Sequence, residues 1–202
     1  MYFWRLVMLK KWIKTTIADC EVIKFSKKLN VYPVFKNGRS SLINHANRNN
    51  LPVLKNKEIS KLNDITIYIR DPLKRFTSGV HTFFYLRKLE LNKKNLKKIE
   101  NFEFIDRHFV PQSIWLLHLY KFYRGDVILK NVDEVYDLVT LRLGPWSNNP
   151  IPWTPLSGKQ EEQIKMIDYK KFVDVDYDVL NKYIDKKIQL QTVVTEIKNA
   201  LS

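Results

Sequence analysis

The sequence predicts an α/β fold built on a central parallel sheet of about four to five strands. Two observations carry this. Short β-branched runs alternate with helical patterns along most of the chain, the arrangement that gives parallel strands with helices packed on the sheet. One run, Ile65-Thr-Ile-Tyr-Ile69, is β-branched or aromatic throughout, as a strand covered on both faces should be.

The elements follow in order. Met1 to Ile17 places Phe3, Trp4, Val7, Met8, Trp12 and Ile13 at helical spacing among Arg5, Lys10, Lys11 and Lys14. It reads as an N-terminal helix, over residues 1–18, packed on the domain. The alternative is a helix lying peripherally on an anionic membrane. Cys20 to Phe25 alternates and reads as an edge strand. Val31 to Phe35 is a strand-like run, and a helical pattern follows through Leu42, Ile43 and Ala46. Leu51 to Leu54 reads as a second short strand, and Lys55 to Asp64 as a charged connection.

After Ile69, Asp71 suits a helix N-cap and Pro72 its first turn, with the helix running over Leu73 to Leu89. Leu91 to Glu100 is a solvated helix or loop, and Val110 to Tyr123 a helix with Ile114, Leu117 and Tyr120 inward. Val127 to Lys130 is a fourth core strand, and Val132 to Val139 a helix. Residues 144–158 are rich in Pro, Asn and Trp and read as a long loop near the site. Two or three helices close the chain between Lys159 and Leu201. With no repeat and no linker, residues 1–202 read as a single domain.

Composition narrows the function. An apolar fraction of 45% with 13% aromatics supports a packed core and excludes a disordered chain. A formal net charge of +14 points to an anionic partner. The one cysteine, Cys20, rules out an intrachain disulfide, and no Cys/His cluster has zinc spacing. No signal peptide or spanning run is seen, so the expected location is cytoplasmic and soluble.

Lys36-Asn-Gly-Arg-Ser-Ser41 sits between a strand and a helix. Amides at a helix N-terminus lack intrahelical partners, and the helix dipole adds partial positive charge. Gly38 permits a tight turn, Lys36 and Arg39 add charge, and Ser40 and Ser41 add donors. The pattern reads as a cradle for a phosphate or sulfate group; the alternative is a basic helix N-terminus on the surface. It is not a Walker A loop, because its Lys precedes the only Gly.

The order Lys-x-Gly-x-Ser-Ser after a strand resembles the 5′-phosphosulfate loop of sulfotransferases that use 3′-phosphoadenosine 5′-phosphosulfate (PAPS). A second segment, Ile67-Tyr-Ile-Arg-Asp-Pro-Leu-Lys-Arg-Phe-Thr-Ser-Gly79, looks like the 3′-phosphate motif of the same family, with Arg70, Asp71, Pro72, Arg75 and Ser78 in register. Asp106-Arg-His-Phe-Val-Pro-Gln112 and Asp126 to Glu134 resemble stretches of its carbohydrate (Golgi-type) branch and the bacterial and viral relatives of that branch. The likeness spans about Val31 to Glu134, with a looser tail from Asn148 to Tyr177; the membrane anchor and disulfides of the Golgi enzymes are absent from it.

The resemblance implies a P-loop-NTPase-like three-layer α/β/α fold and a PAPS-dependent sulfotransferase, giving 3′,5′-adenosine diphosphate as product without a metal. Lys36, Asn37, Gly38, Arg39, Ser40 and Ser41 would hold the 5′ end, and Arg70 and Ser78 the 3′-phosphate. The acceptor would be a hydroxyl or amine on a glycan or small molecule. Lys36 would stabilise the leaving oxygen. For the general base, His108 lies in the family-like stretch and Glu58 just past the second strand, with His45 on the cradle helix and His81 beyond Ser78 more suited to packing. Trp146 or Trp153 would cover the adenine or pack in the core. The alternatives are a P-loop-type nucleotide-dependent kinase, disfavoured by the missing Walker lysine, and a non-enzymatic polyanion-binding protein. No nucleic-acid module is present, and nucleic acid is not the expected partner.

Overall fold

The computed structural model describes residues 20–135 and 157–202. The N-terminal helix of residues 1–18, most of the helix expected over Val132 to Val139, and nearly all of the loop with Trp146 and Trp153 lie outside the described residues.

The sheet has six strands: β1 (Glu21–Lys24), β2 (Asn30–Val31), β3 (Val53–Lys55), β4 (Asp64–Ile69), β5 (Asp126–Asn131) and β6 (Lys187–Gln189). Their order is β3-β1-β2-β4-β5-β6. Only the β2–β4 and β4–β5 strand pairs are parallel, whereas the β1–β2, β1–β3 and β5–β6 pairs are antiparallel. The sheet is therefore open and mixed, a correction to the expected parallel one. The expected parallel strands do form its centre, where all six residues of β4 pair with β5.

Three further differences have physical causes. β1 is not an edge strand, because β3 lies outside it; Val22 and Ile23 are both fully buried, which needs cover on both faces. The run to Phe35 pairs only at Asn30–Val31 and then leaves the sheet toward the Lys36 turn. β6 has no apolar run to announce it and exists through pairing with β5 alone.

Seven α-helices are described: α1 (Arg39–Arg48), α2 (Pro72–Leu86), α3 (Lys93–Glu100), α4 (Gln112–Leu119), α5 (Gly158–Lys165), α6 (Lys170–Val179) and α7 (Leu190–Leu201). The charged connection contains a short 3-10 turn, Asn56–Lys61. Alternation along the strands divides the core. Ile65, Ile67 and Ile69 join Phe76, Phe83, Phe109, Ile114 and Phe172 on one face of the sheet. Tyr68 joins Ile23, Val31, Leu42 and Ala46 of α1 on the other. All eight residues of α4 are buried, so its apolar character all round is what its place demands. The segment from Leu91 does form a helix, anchored by buried Leu96 and Ile99. Among the described residues no helix is long and apolar enough to cross a membrane.

Candidate functional site

The site lies where β2 and β4 end. After Val34 the chain makes a tight turn, with Lys36 at φ 65° and Gly38 at φ 76°, and enters α1. A glycine adopts that angle without strain, and a Cβ at Gly38 would sit 3.1 Å from Val135 Cγ1. No side chain caps α1. Leu42 N–H donates to the Gly38 carbonyl at 3.0 Å, and among the described residues the amides of Gly38, Arg39, Ser40 and Ser41 have no acceptor. These are the unspent donors of a helix start, backed by its dipole.

β4 ends at Ile69, Arg70 follows it, and α2 starts at Pro72 with Asp71 as its cap, accepting from Lys74 N–H at 2.8 Å. The structure brings the two turns together. Arg70 Nη1 donates to the Lys36 carbonyl at 3.5 Å, the one hydrogen bond of the Arg70 side chain among the described residues. Asn37 Nδ2 donates to the Tyr68 carbonyl at 2.8 Å. Lys36 Nζ donates to Thr82 Oγ1 on α2 at 2.8 Å, one helical turn beyond Ser78. Ser78 is half-buried, and its hydroxyl has no partner among the described residues. Burial, then the nearby Arg70 and Arg75 charges, lower the Lys36 ammonium to about 8. Such a group gains by meeting an anion.

Gln112, the first residue of α4, ties the turns. Its Oε1 accepts from Asn37 Nδ2 at 2.5 Å and from Arg70 N–H at 2.9 Å, and its Nε2 donates to the Arg70 carbonyl at 2.8 Å. Asp176 on α6 accepts from Gln112 N–H at 2.6 Å and Ser113 N–H at 2.8 Å, capping α4 from a distant part of the chain. Arg75 is 1% exposed, not a surface charge. It donates to the Phe35 carbonyl through Nε at 3.1 Å and to the Val110 carbonyl through Nη1 at 2.5 Å, and its burial lowers it to about 10.

Two residues expected at the cradle are committed elsewhere through their side chains. Asn37 is 1% exposed and its amide nitrogen is used by Tyr68 and Gln112, so it shapes the loop. Arg39 bonds Glu21 at 2.9 Å, with its guanidinium 4.8 Å from the Phe35 ring centroid. Ser40 is exposed and Ser41 half-buried, both at the open start of α1.

His108 is held close by. A Cβ at Gly79 would fall 2.1 Å from the His108 carbonyl oxygen, so only glycine lets this segment lie against α2 next to Ser78. Asp106 Oδ1 accepts from His108 N–H at 2.9 Å and meets the ring Nδ1 at 2.5 Å. Burial pushes the Asp106 carboxyl up, but the hydrogen bonds and charge of His108 outweigh it and leave the carboxyl below its ordinary value. The ring also packs edge-on against Phe35, 5.6 Å between centroids. A carboxylate at Nδ1 leaves Nε2 as the nitrogen for exchanging a proton.

Glu58 and His45 are engaged in other contacts, and His81 lies near Lys36. Glu58 is exposed in the 3-10 turn after β3, where its carboxylate accepts from Lys55 N–H at 3.0 Å. His45 is buried and stacked on Phe25, 5.4 Å between centroids. His81 is half-buried, and burial followed by the Lys36 charge lowers its imidazole. Sequence reasoning assigned no role to Gln112, Gly79, Thr82 or Asp176. The missing local cap before Gln112 was a signal for Asp176: a buried helix start needs an acceptor from somewhere.

No family model, curated protein or solved structure matches this chain.

Proposed function

We propose that the protein is a PAPS-dependent sulfotransferase of P-loop-like fold, acting on a hydroxyl or amine acceptor, with a glycan as the expected class. The observation that carries the proposal is the junction of the two strand-to-helix turns. The uncapped start of α1 and the Lys36 ammonium face one anion, while Arg70 and Ser78 lie beside them for a second. A nucleotide with a 5′-phosphosulfate and a 3′-phosphate offers two such anionic groups.

In this reading the acceptor oxygen attacks sulfur in line and the bond from sulfur to the 5′-phosphate oxygen breaks. His108 takes the acceptor proton at Nε2, steadied by Asp106. Lys36 leaves Thr82 and offsets the charge growing on the departing phosphate. The protein contributes positioning and charge to a donor that is already activated.

Titration with 3′,5′-adenosine diphosphate tests the reading. Binding without Mg²⁺ is expected, and Arg70→Ala should weaken it by about 1.5–3 kcal/mol, the scale of a charge-assisted hydrogen bond. Transfer of label from PAPS to a panel of glycans should follow, and should be lost in His108→Ala. Preference for Mg-ATP over 3′,5′-adenosine diphosphate would instead identify a kinase.

A further inference from the structure

The C-terminal end of α2 carries a feature that the nucleotide site does not use. Tyr85, Leu86 and Leu89 are 52%, 49% and 36% exposed, three large apolar side chains within five residues. Singly exposed apolar residues are common on protein surfaces, but a cluster marks an interaction site. Tyr85 and Leu86 stand three and four residues after Thr82, so they prolong the helix face that meets Lys36.

The surroundings of this cluster are cationic. Between Tyr85 and Lys98 the chain has Arg87, Lys88, Lys93, Lys94, Lys97 and Lys98 against a single acid, Glu90. Leu96 and Ile99 turn inward on α3, which leaves Lys93, Lys94 and Lys97 outward; Lys97 is paired with Glu100 at 2.6 Å, so Lys93 and Lys94 carry the charge of this face.

The backbone at the tip is also unusual. α2 ends with Lys88 N–H donating to the Tyr85 carbonyl at 3.1 Å and Leu89 N–H to the Phe84 carbonyl at 3.0 Å. This termination requires a left-handed residue, most often glycine, and Lys88 occupies it at φ 52°. A strained lysine where glycine would be relaxed places a cation between Leu86 and Leu89.

We propose that this tip docks on a lipid surface bearing anionic headgroups. Tyr85, Leu86 and Leu89 would enter the headgroup boundary while the basic residues around them meet lipid phosphates and carboxylates. A soluble polyanion would pair with the cations but leave the leucines in water. A two-fold contact between copies would set like-charged rims against each other.

The experiment uses the full chain. Co-sedimentation is measured with phosphatidylcholine vesicles containing or lacking phosphatidylserine, and an environment-sensitive fluorophore is attached through Leu86→Cys. The native Cys20 is buried, with its thiol pushed up to about 12 by that burial, so labelling is selective. Binding that requires phosphatidylserine is expected, with a blue shift of the fluorophore. The double variant Leu86→Ser/Leu89→Ser should bind on the order of ten-fold more weakly. Lys88→Gly should lose affinity several-fold while keeping or raising the melting temperature, which separates docking from folding.

Absence of vesicle binding overturns the proposal. So does binding with an unmoved fluorophore, or binding that the double variant retains, since another surface then holds the lipid. Self-association abolished by the double variant, without lipid binding, identifies a second copy as the occupant and overturns it equally.

Discussion

The turn after β2 and the turn after β4 share one topology and differ in how their helices begin. α2 starts with Pro72 at its first position and Asp71 as cap, and the Asp71 carboxylate also accepts from Tyr177 O–H at 3.0 Å. That turn is closed, and Arg70 projects from a settled frame. α1 starts with no side-chain cap, two left-handed residues and a run of unbonded amides. It is an open turn held from outside, by Asn37 on Tyr68 and Gln112 and by Arg70 on the Lys36 carbonyl. The difference teaches where ligand chemistry can sit. A capped helix start positions a side chain, whereas an uncapped one offers its own amides.

Breaking the comparison at Lys36 should have the largest effect. Lys36→Ala is expected to cut turnover on the order of 10²–10³-fold while changing nucleotide affinity much less, because its charge matters most as the leaving oxygen becomes negative. Single-turnover rates beside equilibrium titration measure the split. Equal losses in binding with unchanged turnover would make Lys36 an anchor only.

The two helix starts should respond to opposite substitutions. Gly38→Ala forces a Cβ into a left-handed residue 3.1 Å from Val135 and should cost about 1–2 kcal/mol of stability, and 3′,5′-adenosine diphosphate affinity with it. Asp71→Ala removes a cap and should cost about 1 kcal/mol while sparing that affinity. Denaturant unfolding and titration on both variants test the distinction. Similar affinity losses in both would erase it.

The smallest effect is a fraction of a proton. The Lys36 ammonium is lowered to about 8 by burial and by Arg70 and Arg75, from an ordinary 10.5. An arriving anion restores it, so binding near pH 8 should take up about half a proton, read from calorimetry in buffers of different ionisation enthalpy. The same shift sets a stability slope. The unfolded chain binds the extra proton between about 8 and 10.5, so stability rises with pH across that window, and Lys36→Met should flatten it.

Local chemistry was legible in the sequence. Ile65 to Ile69 had to be a covered strand, Asp71-Pro72 had to start a helix, and Lys36 to Ser41 had to turn into one, because propensity, capping and periodicity act within a few residues. The fold class followed from that alternation, and so did the parallel centre on which both turns share one end of the sheet.

What the tertiary structure alone decided is which distant groups complete those local pieces. Pairing placed β1 inside the sheet and recruited β6 from a stretch with no strand pattern of its own. Packing set Gly79 against the His108 backbone, spent Asn37 and Arg39 on the fold, buried Arg75, and capped α4 with Asp176 from 64 residues away. Strand order and buried polar partners depend on which surfaces meet after collapse, and residues far apart in sequence leave no periodic trace of that meeting.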